Sequence, residues 1–149
     1  VLIEVVNSYL DEGKKFDNLC CIFPCAPFVT ADKLIYAFEQ LIKKKFASVF
    51  PVVNYSHPIQ RALTLKGEKV NMVDEKYLTK MTQEFETFYH DTGQFYFCNI
   101  KKVFSKKQIL TPNSKGIVVS EIEIQDIDSE IDWKLAELKY KLINNKPQY

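Results

Sequence analysis

Glycine is scarce in this chain, with four in 149 residues, and histidine is scarcer, with two. So few glycines leave no phosphate cradle to read: neither a P-loop nor a dinucleotide fingerprint occurs. A Ser/His/Asp constellation is missing as well. The four cysteines, Cys20, Cys21, Cys25 and Cys98, form no C-x-x-C pair and have no histidine cluster beside them, which argues against zinc and for buried, reduced thiols. Charge of one sign is lacking too. Lys and Arg number 20 against 19 Asp and Glu, so no global field recruits nucleic acid or an anionic membrane. No apolar run reaches the ~20 residues of a membrane span, and no signal-peptide pattern opens the chain. The expectation is a cytoplasmic protein that binds neither nucleic acid nor membrane and makes any phosphate contact locally.

What is present suits one α/β domain: 46% of residues are hydrophobic and 13% aromatic, enough for a core. Residues 1–10 repeat apolar side chains at helical spacing and end in the polar turn Asp11, Glu12, Gly13. Residues 19–23 are an unbroken apolar run closed by Pro24, the profile of a central strand in a parallel sheet. Thr30 is positioned to cap a helix over 31–44 that places Leu34, Ile35, Phe38, Leu41 and Ile42 on one face. Residues 46–53 then read as a second strand, and strand, helix, strand argues for a crossover unit. Alternation around Lys66 and Gly67 predicts a β-hairpin over 62–73, outside the main sheet. Residues 74–87 carry no clear pattern. Further strands are expected at 94–98 and 117–119, with a short helix from Asn99 to Phe104 between them. A last helix over 130–143 is expected to anchor through Trp133, Leu135, Ala136, Leu138 and Leu142.

The most informative stretch is 121–133. Its first half alternates like a half-buried strand, and its end reads as a helix start with Ser129 as N-cap and Asp132 as the third helical residue. Side chains two apart on an extended backbone point the same way, so Asp126 and Asp128 can converge on one cation while Ile127 turns inward. Hard oxygen ligands suit Mg²⁺, which commonly binds through one or two carboxylates plus substrate phosphates. The competing reading is local: Asp128 or Ser129 caps the helix and Asp126 is solvated.

Three other polar groups stand out. Tyr89, His90, Asp91, Thr92, Gly93 and Gln94 pack acid, base and amide groups around a glycine; they are either a ligand site or a polar turn in which Asp91 bonds the backbone. Arg61, the single arginine, lies in His57-Pro58-Ile59-Gln60-Arg61 and has the planar fork that suits a carboxylate or phosphate. The third is the tight loop from Phe23 to Phe28.

In these residues the chain resembles the acylneuraminate cytidylyltransferase family, and within it the pseudaminic acid branch. The matching stretches are Cys20 to Phe28, Pro58 to Ala62, Tyr89 to Tyr96, Pro112 to Ser114, and Gln125, Asp126, Ile127, Asp128 running into Asp132 and Trp133. The resemblance implies a three-layer α/β/α, Rossmann-like nucleotidyltransferase fold with an inserted β arm at about 55–88. It implies a homodimer and a reaction of CTP with a nine-carbon 2-keto sugar acid that yields the CMP-sugar and pyrophosphate. It makes Asp126 and Asp128 the Mg²⁺ ligands and catalytic positions. Arg61, His90, Asp91, Gln94 and Gln125 become candidates for contacts to the substrate, a nonulosonic acid. Two departures matter. Phe23, Pro24, Cys25 and Ala26 replace the glutamine, proline, threonine and serine of sialic acid-activating relatives, which points away from N-acetylneuraminate. Met81 stands where the pseudaminate branch carries an arginine. The family's first strand and phosphate loop are not found in these 149 residues, which then form the C-terminal part of one nucleotidyltransferase domain and are expected not to turn over CTP alone. The alternative is a truncated, non-catalytic sugar-binding or dimerisation module of the same fold.

Overall fold

A computed structural model of the chain describes residues 1–145. It is a mixed α/β structure organised on strand β2 (Ser48–Asn54). Strand β7 (Ser114–Val118) pairs with β2 in parallel, Ser48 opposite Ser114 and Val52 opposite Val118. The other edge of β2 is shared. Strand β6 (Phe95–Asn99) runs antiparallel to its start, and β5 (Tyr89–Asp91) runs antiparallel to its end, Val52 opposite Asp91. Between β5 and β6 the chain leaves the ladder opposite Pro51, which has no amide hydrogen to contribute. Thr92 bonds the Pro51 carbonyl through its amide at 3.4 Å and its hydroxyl at 3.3 Å, and Gly93 takes a φ of +63° to make the bend.

Strand β1 (Asn18–Ile22) pairs antiparallel with the outer side of β6. This corrects the expectation of a central parallel strand: β1 is an edge among the described residues, with Cys20 and Ile22 exposed. A short apolar run fits either position, because periodicity does not report the neighbour. The thiols need a similar correction. All four are free, but only Cys98 is fully buried; Cys21 is half-buried and Cys20 and Cys25 are exposed.

Helix α1 (Leu2–Asp11) precedes β1, and α2 (Ala31–Lys43) joins β1 to β2. The Thr30 hydroxyl accepts from the Lys33 amide at 3.4 Å, which supplies the predicted cap. Helix α2 covers one sheet face: Ala37 and Leu41 pack on Val49 and Phe95, flanked by Leu34, Phe97 and Ile117. Ile35, Phe38 and Ile42 of the expected face stay exposed. Helix α3 (Ile100–Lys106) starts at Asn99, whose side chain caps the Lys102 amide at 3.1 Å. Strands β3 (Leu63–Lys66) and β4 (Lys69–Met72) form the predicted hairpin as a separate two-stranded sheet. Residues 74–87 hold only 3₁₀ turns at Glu75–Tyr77 and Thr82–Glu84.

Two further corrections concern the C-terminal part. Residues 121–127 are not a strand. A 3₁₀ turn at Glu121–Glu123 opens them, closed by a box in which the Glu123 carboxylate accepts from the Ser120 amide at 3.2 Å; Ile124 after it is extended, and residues 124–127 join no ladder. Helix α4 (Glu130–Asn144) forms as expected, but of its five expected anchors only Ala136 is buried. Trp133, Leu135, Leu138 and Leu142 are exposed, because none of the described elements packs over that stripe. No helix among the described residues is long and apolar enough to cross a membrane.

Candidate active site

The loops after β1 and β7 and the bend between β5 and β6 meet at one rim of the sheet, the end where open α/β sheets place ligands. Gln94 ties them together. Its carbonyl accepts from the Phe23 amide at 2.9 Å, and its side-chain amide donates to the Glu123 carbonyl at 2.5 Å. Gln94 is 2% exposed, and its side-chain oxygen is buried without a hydrogen-bond partner among the described residues. As a sugar contact it is therefore enclosed, and its visible role is to join the three loops.

Below the 3₁₀ turn the chain is gripped from both ends. Lys33 Nζ pairs with the Glu123 carboxylate at 2.9 Å and donates to the Phe28 carbonyl at 3.1 Å, linking the 23–28 loop to the turn. Lys139 Nζ donates to the Ile124 carbonyl at 2.7 Å. At the far end the Ser129 hydroxyl donates to Asp132 Oδ2 at 2.7 Å, and the amides of Ser129 and Asp128 reach the same oxygen at 2.9 and 3.3 Å. These bonds, the Ser129 hydroxyl foremost, hold the Asp132 carboxyl below its ordinary pKa. The cap is thus Ser129 with Asp132, and Asp128 contributes only its backbone.

Between those anchors Asp126 and Asp128 are exposed, while Ile127 is half-buried in a hollow with Pro27, Phe28 and Trp133. The exposure thus alternates over Asp126, Ile127 and Asp128 as expected, but in a segment outside any ladder that ends in a bend at Asp128. Gln125 donates to the Asp126 carbonyl at 3.0 Å, so its amide braces the same segment. The donor set fits a hard divalent ion in one respect: two exposed carboxylates on a short segment anchored at both ends. No group of three or more His, Cys, Asp or Glu suited to a metal occurs among the described residues, so the remaining ligands would come from water and a bound phosphate.

A cleft of about 720 Å³ lies on the sheet face opposite α2. Phe23, Phe50 and Tyr96 form an aromatic row along it, with ring centroids 5.8 and 5.1 Å from the Tyr96 ring. His90 and Asp91 stand on its wall, as do Thr111 and Ser114. Gly116 keeps the floor flat, since a Cβ there would lie 2.8 Å from a methyl of Val52. Asp91 also makes the local turn, its carboxylate accepting from the Gly93 amide at 2.6 Å, and His90 Nδ1 lies 2.9 Å from the Asp91 carbonyl with its ring against Tyr55. The polar turn is therefore present, and the same residues line the cleft.

Arg61 stands apart from this constellation. It sits in a 3₁₀ turn at Ile59–Arg61, donates to the Lys80 carbonyl at 2.7 Å and covers the Phe85 ring. The structure thus brings Gln94, Gln125, Asp126 and Asp128 to one rim, places His90 and Asp91 on the neighbouring cleft, and leaves Arg61 in the hairpin region. Sequence reasoning missed Lys33 and Lys139. A lysine on a helix carries no local signal that its ammonium will turn back onto a carbonyl.

No family model matches the chain. It is 32% identical over 141 residues to a Campylobacter jejuni subsp. jejuni serotype O:2 protein named pseudaminic acid cytidylyltransferase, a match covering 94% of this chain and 60% of that protein. The protein of the same name from serotype O:23/36 is 31% identical over the same extent. A Helicobacter pylori protein named pseudaminic acid cytidylyltransferase and UDP-2,4-diacetamido-2,4,6-trideoxy-beta-L-altropyranose hydrolase is 28% identical over 128 residues, which is 84% of this chain and 25% of that protein. The chain therefore spans 60% of the length of the two Campylobacter relatives.

Proposed function

We propose that this chain, which is related over most of its length to cytidylyltransferases, works in the activation of a nine-carbon 2-keto sugar acid of the pseudaminic type with CTP, giving the CMP-sugar and pyrophosphate. The observation that carries the reading is the pair Asp126 and Asp128, exposed on a segment anchored at both ends. In the reaction the anomeric hydroxyl oxygen attacks the α-phosphorus of CTP and gives up its proton to solvent, the bond from that phosphorus to the oxygen bridging to the β-phosphate breaks, and pyrophosphate leaves with the electron pair. Phosphoryl-type transfers of this kind depend chiefly on positioning and on neutralising charge. Mg²⁺ held by Asp126 and Asp128 would supply that neutralisation.

The remaining residues bind and orient. His90 and Asp91 offer a donor and an acceptor at the cleft wall for sugar hydroxyls, and the row of Phe23, Phe50 and Tyr96 offers an apolar surface to the sugar's substituents. Gln94 and Gln125 keep the rim in place. A homodimer is part of the proposal. Its support is the hairpin, where Leu63 and Leu65 pair across the strands with Met72 and Val70, and Leu63, Leu65 and Val70 are mostly exposed.

The test is pyrophosphate release by the natural polypeptide carrying this chain, given CTP, Mg²⁺ and a panel of nonulosonic acids. Asp126→Asn and Asp128→Asn are each expected to lower turnover at least ~100-fold, as when a principal charge-stabilising group is removed. Wild-type turnover in both variants would remove the assignment. Sugar binding with no release of pyrophosphate by the unaltered protein would favour the non-catalytic module.

A further inference from the structure

We propose that Lys33, Gln94 and Lys139 are positioning residues that set the Asp126–Asp128 carboxylate pair; this rests on the reading of that pair given above. Three donors from three separate elements, α2, β6's leading bend and α4, converge on two consecutive residues. Gln94 Nε2 reaches the Glu123 carbonyl at 2.5 Å, Lys33 Nζ the Glu123 carboxylate at 2.9 Å, and Lys139 Nζ the Ile124 carbonyl at 2.7 Å. Neither Glu123 nor Ile124 belongs to a sheet ladder. Side chains therefore stand where strand pairing ordinarily fixes an extended backbone.

An ammonium that turns from water to a carbonyl gives up hydration and side-chain freedom. Here two lysines do so, Lys33 at the Phe28 carbonyl and Lys139 at the Ile124 carbonyl, and the Lys33 side chain is only 17% exposed. The arrangement concentrates restraint on the residues directly before Gln125 and Asp126, while the Ser129–Asp132 box holds the other end. Groups that orient metal ligands without touching the ion typically change its affinity by 10–100-fold.

The sign of the effect separates positioning from charge. Two ammonium groups near a cation site repel the cation, so their field alone predicts that removing one tightens binding. Positioning predicts the opposite. The probe is Mn²⁺, followed by the electron paramagnetic resonance signal of the free ion in solutions of the whole chain, with circular dichroism establishing that each variant is folded. Lys139→Met and Lys33→Met are expected to bind Mn²⁺ about tenfold more weakly. Lys33→Arg, which can still pair with Glu123, is expected to bind as the unaltered protein does. If Lys33→Met does not fold, Lys139→Met, altered on the outer helix α4, carries the comparison. Unchanged or tighter Mn²⁺ binding in Lys139→Met, with binding lost in the Asp126→Asn/Asp128→Asn double variant, overturns the positioning role alone. Undiminished binding in that double variant overturns the reading of the carboxylates and the positioning role with it.

Discussion

Gln94 is the polar side chain on which most of the rim depends. It is enclosed, its amide is committed to Glu123, and its oxygen is buried without a partner among the described residues. An unsatisfied buried oxygen costs about 1–3 kcal/mol, which offsets part of what the bond to Glu123 contributes. Gln94→Met removes the orphan oxygen together with the bond to Glu123 and is expected to lower stability by about 1 kcal/mol in urea unfolding. Gln94→Glu sets a second oxygen against the Glu123 carbonyl and buries a charge, so it should be the more damaging of the two at neutral pH. The cysteines give a second prediction. Burial, with smaller contributions from Cys21 and Cys20, pushes the Cys98 thiol up to about 12. The thiolate is the reactive form, so iodoacetamide at pH 8 is expected to modify the exposed Cys25 well before the buried Cys98, read by peptide mass mapping. Equal rates would contradict that. At this scale the sequence singled out the side chains at 89–94 and 125–128 as candidates, since acid, base and amide groups stand out from apolar surroundings. It could not show that Gln94 would be enclosed, because a strand residue's face depends on which loop closes over it.

Among the elements, α4 was the most legible, and for a local reason: Ser129 and Asp132 lie three apart, and a capping box needs no distant partner. Ser129→Ala is expected to cost about 1 kcal/mol of stability at pH 7. The pH dependence has a definite sign. The Asp132 carboxyl is held below its ordinary 3.8, so its stabilisation is present above that value and is lost as the pH falls below it through the lower folded value. Amide exchange at the start of α4 should accordingly speed up in that acid range beyond what the change in intrinsic exchange explains. The segment before the helix was misread as a strand because alternation reports an extended backbone and not a paired one. Its partners are lysine ammoniums and an amide from distant positions, which no window of the sequence contains. The hairpin was read correctly from Lys66 and Gly67, and Gly67 takes the left-handed conformation with φ +61° that its turn requires. If its apolar face joins two copies, Leu65→Asp combined with Val70→Asp should shift the protein to monomer in sedimentation, with the β2-centred sheet intact. A dimer unaffected by both charges would place the contact elsewhere.

At the scale of the whole molecule, one sheet has two unlike faces. Helix α2 seals the face carrying Val49 and Phe95, and the face carrying Phe50 and Tyr96 forms the open cleft. The division follows from the alternation of β2 and β6, in which neighbours point to opposite sides. Gly116 belongs to the second face, and Gly116→Ala is expected to lose about 1–3 kcal/mol because the new methyl meets the rigid side chain of Val52. The α/β class could be read from strand, helix, strand order, yet strand order could not: β1 and β2 run the same way with β6 inserted between them from much later in the chain. The account as a whole depends on Asp126 and Asp128 holding a divalent ion at the rim. The most direct measurement is paramagnetic broadening of backbone amide resonances by substoichiometric Mn²⁺. Signals of residues 125–129 are predicted to fade first and to persist in the Asp126→Asn/Asp128→Asn double variant; early fading centred on another acidic stretch, such as Asp74 and Glu75, with 125–129 untouched would contradict the account.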